Sequence, residues 1–297
     1  GYSSQLQQAI AIGTQAGQNT QGTFAIAIGN GSGQNTQGSA SIAIGVNAGQ
    51  ILQGINSISI GLQSGQTNQG SGGISIGYQA GRTTQGTNSI AIGVQAGQTA
   101  QGTASIAIGS GAGASTQTNY CIAIGVNSGQ TNQGGNGQYA VAIGYQAGQS
   151  TQGDGTVAIG YLSGQTAQGN SAIAIGQQAG RAAQGSQSIA IGLNAGNQGQ
   201  LSRAVAIGVG AGQNTQGQDT VAIGANAGTS TQGSGAVAIG SSAGAQQQGL
   251  YGVSIGQNAG QNTQGLSAVA IGNNSGSISQ GTQAIAMGIN AGAAIQG

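Results

Sequence analysis

The sequence predicts an all-β chain, a parallel β-solenoid of the β-roll kind with about 18 coils of 16 residues each. Three observations carry this reading: a strict internal repeat, a period-two alternation inside each repeat, and glycines at fixed places between the alternating segments.

The repeat is fixed by the glycine that closes each Ile-Ala-Ile-Gly-like segment. It falls at Gly13, Gly29, Gly45, Gly61, Gly77, Gly93, Gly109 and Gly125, and resumes at Gly144, Gly160, Gly176, Gly192, Gly208, Gly224, Gly240, Gly256, Gly272 and Gly288. Each step is 16 residues except the 19 between Gly125 and Gly144. Residues 1–297 therefore read as a single array of 18 copies. Its halves, 1–134 and 140–297, flank the five-residue link Gly135-Asn136-Gly137-Gln138-Tyr139, within which a three-residue insertion falls.

Slots 1 to 16 are numbered on the first full copy, Ala9 to Phe24. Slot 2 is Ile or Val in all 18 copies, and slot 4 is Ile in 17 and Met287 in the last. Slots 1 and 3 are small, with Cys121 once in slot 1. Slot 8 is Ala or Ser, slot 9 is Gly, and slot 13 is Gln from Gln21 to Gln296. Slot 14 is Gly except at Thr118 and Leu201.

Slots 1 to 4 thus alternate small and large, which is the pattern of a strand. Their β-branched residues suit one. Glycines at slots 5, 9 and 14 interrupt any helix and suit tight turns. With no proline in the chain, every backbone N–H is free to join a ladder. Stacked coils are expected to place Ile10, Ile12, Ile26, Ile28, Ile42 and Ile44 in two aliphatic ladders along the interior. Gln21, Gln37 and Gln53 are expected to line the interior or a corner as a stacked amide ladder. Slot 6 follows a glycine corner and is expected to point outward. Val46, Leu62, Tyr78, Val94, Val126, Tyr145, Tyr161, Leu193 and Val209 would then form an interrupted apolar and tyrosine stripe, a contact surface.

Composition excludes most chemistry. The only charged side chains are Arg82, Arg181, Arg203, Asp154 and Asp219, and the formal net charge is +1. That charge is too small to attract nucleic acid or an anionic membrane. No apolar run is long enough for a membrane-spanning helix. The two aspartates sit in different copies near the slot 15–16 turn and read as solvated turn residues. Cys121 has no His partner anywhere. No catalytic group, cofactor site or metal site is expected.

The Ala-Ile-Ala-Ile-Gly and Ser-Ile-Ala-Ile-Gly segments, followed by Ala-Gly, resemble the head repeats of trimeric autotransporter adhesins. They are also similar to the Gly-rich repeats of phage and large-virus fibres. The resemblance runs from Ala9 to Gly297. It implies a parallel β-roll, assembled as a trimer and acting in surface attachment. The unit here is longer than the usual head repeat, and the slot-13 Gln is an addition to that pattern.

The function expected from these features is structural and non-catalytic. The chain reads as a β-solenoid segment of an extracellular fibre or filament, at a cell or virion surface, that associates with itself laterally or end to end. Gly1 fits slot 9 and Gly297 slot 14, so the array begins and stops in mid-coil without a charged or proline-bearing cap, as a piece of a longer array or an end-stacking subunit would. Two alternatives are an ice-binding solenoid and a glycan- or host-binding adhesin. The first uses the small slots 1 and 3 together with slot 12, which is Thr in eight copies, among them Thr20, Thr36 and Thr84. The second uses the link Gly135 to Tyr139.

Overall fold

A computed structural model describes residues 5–135 and 137–294. Gly1, Asn136, Gln296 and Gly297, to which expected slots were assigned, lie outside the described residues. The fold is an all-β parallel solenoid with about 16 residues per turn, and no helix occurs among the described residues. Contacts gather the chain into two compact units, Gly1–Asp154 and Gly155–Gly297.

Most coils contribute two short strands joined by glycine-bearing turns; at Gln117, Gln133 and Gln200 the second is reduced to a single bridging residue. The first strand holds slots 2 to 4. In the first unit these strands run from Ile10–Ile12 to Val141–Ile143, and in the second from Val157–Ile159 to Ile285–Met287. They pair in parallel and in strict register, Ile10 with Ile26 and Ile26 with Ile42, so like residues stack one above the next. The second strand ends on the slot-13 glutamine, as in Thr20–Gln21 and Thr36–Gln37 of the first unit and Thr215–Gln216 and Thr231–Gln232 of the second. Here too like pairs with like, Gln21 with Gln37 and Gln216 with Gln232.

The orientation of the first strand corrects the sequence expectation. Ile10 and Ile12 are 47% and 58% exposed and Ile44 is 36% exposed, while Ile26, Ile28 and Ile42 are only half-buried. The two isoleucine ladders exist, but on the outer face of the sheet. The interior belongs to slots 1, 3 and 8, where Ala25, Ala27, Ser41, Ala43 and Ala48 are fully buried, and to slot 13, where Gln21, Gln37 and Gln53 are buried.

The physical reason is volume combined with hydrogen bonding. Each buried glutamine crosses the coil and donates from Nε2 to the slot-2 carbonyl of the facing strand: Gln21 to Ile10 (2.6 Å), Gln37 to Ile26 (2.8 Å), Gln53 to Ile42 (2.8 Å). A second contact from the same nitrogen reaches the slot-1 carbonyl of the next coil, as from Gln21 to Ala25 (3.2 Å). With a glutamine filling each layer, the opposite strand can turn only a methyl or a hydroxymethyl inward. A period-two strand must bury one face or the other, so the isoleucines go out.

Glycine is required where coils approach closely. At slot 5 a Cβ on Gly29 would stand 2.7 Å from the carbonyl oxygen of Gly45 in the next coil. At slot 9 the backbone is left-handed, with φ +51° at Gly33, and a Cβ there would stand 2.7 Å from Oε1 of Gln37. The glutamine carbonyl occupies the space that the missing side chain leaves, which ties the glycine of slot 9 to the glutamine of slot 13.

Where slot 3 is serine, its hydroxyl donates to that same oxygen: Ser59 to Gln69 Oε1 (2.7 Å), Ser75 to Gln85 Oε1 (2.6 Å), Ser254 to Gln264 Oε1 (2.8 Å). Elsewhere the next amide along the axis supplies a donor, as from Gln117 to Gln133 Oε1 (3.0 Å) and from Gln216 to Gln232 Oε1 (3.2 Å). Oε1 of Gln21, Gln37, Gln53, Gln117, Gln216 and Gln248 has no hydrogen-bond partner among the described residues.

Two substitutions in one coil test this interior. Gly33→Ala forces an L-residue into left-handed backbone, costing about 1–2 kcal/mol, and pushes the Gln37 amide away; the melting temperature should fall. Ala27→Ser places a hydroxyl toward Gln37 Oε1, as Ser59 does for Gln69. The melting temperature should hold or rise, by at most about 1 kcal/mol of stability. A clear drop with Ala27→Ser would contradict the assigned interior.

Candidate functional site

The outer face of the first sheet is a surface able to meet a partner. Slots 2 and 4 present Ile and Val outward, and slot 6 adds a third column at the adjoining turn. Every residue expected in the slot-6 stripe is exposed: Val46, Leu62, Tyr78, Val94 and Val126, with Tyr145 beside them in the first unit, and Tyr161, Leu193 and Val209 in the second. Tyr78 and Val94 stand in successive coils, as do Leu193 and Val209. Strand alternation sends Ala91 and Ala107 inward and sets Ile90, Ile92, Ile106 and Ile108 outward in register. In-register pairing sets like residues one above the next, so the Ile/Val face is apolar within each unit.

Sequence reasoning found the slot-6 column and missed the two larger ones beside it. A signal was present: slot 3 never exceeds serine in size in any copy. Such a narrow tolerance belongs to the more crowded side of a strand.

The opposite flank is polar. Slot 10 carries an external amide ladder in the first unit, with Gln34 donating to Gln18, Gln50 to Gln34 and Gln66 to Gln50, each at 2.9 Å. Slot 12 stacks Thr20 on Thr36 and Thr215 on Thr231, exposed. That rank is interrupted at Leu52, Asn68 and Ala100.

The insertion does not disturb the ladder. Ile122 pairs with Val141 in register across it, and the extra residues are absorbed at the corner after slot 13. The rings of Tyr120 and Tyr139 stack there at 5.4 Å and 12°. Asp154 accepts a hydrogen bond from the Gln138 amide N–H (2.7 Å). Cys121 is buried next to the Thr118 hydroxyl (3.3 Å) and is a free thiol.

Asp219, read from the sequence as a solvated turn residue, is exposed but paired. Arg203, one coil earlier in the same slot, donates from Nε and Nη2 to its two carboxylate oxygens at 2.5 and 2.9 Å. Hydrogen bonding to Arg203 holds the Asp219 carboxyl below its ordinary pKa, and the same contact raises that of Arg203. No cluster of three or more His, Cys, Asp or Glu occurs among the described residues. No helix among them is long and apolar enough to cross a membrane.

Residues 83–97, 136–163, 167–195 and 216–243, about a third of the chain, match the family model of the YadA head domain repeat. These segments are similar to adhesin-head repeats. No curated protein matches the chain. The matched segments hold the features built up above. The segment 216–243 starts on the buried Gln216, takes in the strands Val221–Ile223 and Val237–Ile239 with their outward aliphatics, and ends on the buried Ala243. The head-type match therefore falls on the strands that form the apolar face, in both units.

The ion pair gives a pH prediction. A carboxyl whose pKa is lowered on folding adds stability above its unfolded pKa of about 4, and that stability is lost as pH falls through the lowered value. Wild type and Asp219→Asn should differ slightly in melting temperature at neutral pH and low salt. They should converge in strong acid, and in high salt at any pH because the pair is exposed.

Proposed function

We propose that this chain is a non-catalytic structural segment of a surface fibre, in which copies of the solenoid associate through the outer Ile/Val face and its slot-6 border and which serves in attachment. The observation that carries the reading is the placement of the aliphatic ladders. A chain with an alanine and glutamine interior leaves its largest side chains outside, and isolated soluble proteins rarely expose an apolar face of this extent. The face is without charge and repetitive, so a second copy of the same face matches it in period. The match to adhesin-head repeats supports this reading and favours three copies around a common axis, at a cell surface.

Burying the exposed part of each Ile or Val would contribute roughly 1 kcal/mol. Over many coils this outweighs the cost of association. Attachment would then use the flanks left uncovered. The ice-binding alternative needs an unbroken rank of small hydroxyl side chains, and the breaks in slot 12 favour the apolar face instead.

Sedimentation of the purified chain should show a single oligomer of defined stoichiometry. Replacing Ile74, Ile90 and Ile106 together by Asn should yield monomers that retain β-structure, because these side chains lie outside the coil. A wild-type chain that stays monomeric at all concentrations would remove self-association through this face.

A further inference from the structure

The polar flank of the second unit carries one depression that the repeat does not predict. Gln165, Thr166, Arg181, Ala182, Asn197, Gln198 and Gly199 line a groove of about 430 Å³. Its origin lies in three departures from the usual coil. Slot 10, which in the first unit carries an amide ladder from Gln18 to Gln66 and is broken there at Arg82 and Ala114, here holds Arg181 and then Asn197. Asn197 is shorter than Gln and turns inward: it is 7% exposed, with Nδ2 donating to the Gln178 carbonyl at 3.0 Å and to Asn194 Oδ1 at 3.4 Å. Slot 12 of that coil is Gly199, which has no side chain to fill the space.

A cation lines the resulting hollow. Arg181 is exposed, and its Nε donates to Gln165 Oε1 at 3.1 Å, which ties the guanidinium to the neighbouring coil. The ion pair found among the described residues is Arg203 with Asp219, so the charge of Arg181 is not neutralised by a carboxylate there. The Thr166 hydroxyl is committed to the floor, donating to the carbonyls of Arg181 (2.9 Å) and Ala182 (2.8 Å). What remains around the guanidinium is amide groups, backbone and the small surfaces of Ala182 and Gly199. No large apolar side chain lines the groove.

We propose that this groove binds an acidic saccharide, with the Arg181 guanidinium taking the sugar carboxylate. The fork of a guanidinium matches a carboxylate in geometry and charge. A rim of amides suits several hydroxyls, and the volume admits more than a simple carboxylate ion. Without a large apolar side chain in its lining, the groove offers no pocket for an aliphatic or aromatic anchor of a peptide. The groove lies on the flank of the second strand, away from the Ile/Val face, so association through that face leaves it open. This assignment deepens the attachment reading and rests on it for its biological meaning.

The test is calorimetric titration of the full chain with a hexuronic-acid disaccharide, its neutral hexose counterpart and a sulfated hexose disaccharide. The acidic sugar should bind, and the neutral one should bind about tenfold or more weakly. Arg181→Gln installs the commonest slot-10 residue, so it should fold, and it should weaken binding by about tenfold or more. Gly199→Asn, a residue that slot 12 carries in left-handed backbone at Asn68 and Asn132, should weaken binding by filling the groove while keeping the charge. Arg82→Gln, in slot 10 of the first unit, should change nothing. Equal affinity for the neutral sugar, unchanged binding by Arg181→Gln, or no binding by wild type would overturn the proposal, and tighter binding of the sulfated sugar would overturn the carboxylate assignment. Loss of groove binding with self-association intact would leave the fibre reading standing; the reverse result would remove the fibre reading alone.

Discussion

A buried glutamine amide spans each coil from one strand to the carbonyls of the other, and the remaining structure follows from that contact. A polar side chain of this size is stable inside only when its donors are used. Nε2 of Gln37 meets the Ile26 carbonyl at 2.8 Å and the Ser41 carbonyl at 3.4 Å, so one amide joins the two sheets and also two successive coils. The carbonyl end is served less evenly. A serine in slot 3 or the next amide along the axis satisfies it in some coils, and in others it rests against the slot-9 glycine without a donor. Because an unmet acceptor costs more than a met one returns, the nitrogen contacts hold the coil together, while the oxygen contacts differ from coil to coil.

Each sequence rule of the repeat can be traced to this amide. Slot 9 must be glycine because the amide oxygen stands where a Cβ would go. Slot 3 must be alanine or serine because the amide already fills the layer. Slot 8 alternates between the same two residues, and its serines satisfy themselves locally, as Ser32 does by donating to the Gly29 carbonyl at 3.0 Å. Slot 1 behaves likewise, with Ser41 donating to the Gly38 carbonyl at 2.6 Å. The serines of slots 1 and 8 are accepted in this interior because a backbone carbonyl three residues earlier lies within reach, as for Ser41 and Ser32.

The repeat length, the strand at slots 2 to 4, the glycine corners and the inward glutamine were all legible in the sequence, because each depends on a pattern that recurs in every copy. The direction of the first strand was not. Alternation states that one face is buried without naming it, and the usual preference for burying aliphatic residues pointed the wrong way. The contrast between Ala27, confined to small residues in its slot, and Ile26, free to lie against anything outside, holds the answer, but only once the glutamine is known to fill the layer. The Arg203–Asp219 pair and the Arg181 groove were hidden for a related reason. Each is an irregularity in a single slot, and its meaning depends on which residue stands one coil away.

Turning the core inside out in this way has a consequence for stability and assembly together. In most β-folds the large aliphatic side chains are spent on the interior, and the surface is left polar. Here backbone ladders and amide bridges hold the coil, and they are the same in every layer, so the register of the stack is set from within. The aliphatic residues are then free to act outside, as columns whose spacing is dictated by the stack. An outer face ordered by its own interior need not adjust on meeting a partner, and the entropy lost on association is correspondingly small. Irregular slots on the opposite flank can vary without disturbing either the stack or the face. That separation lets a uniform repeat accept local irregularities, such as the hollow beside Arg181, through only two or three substitutions.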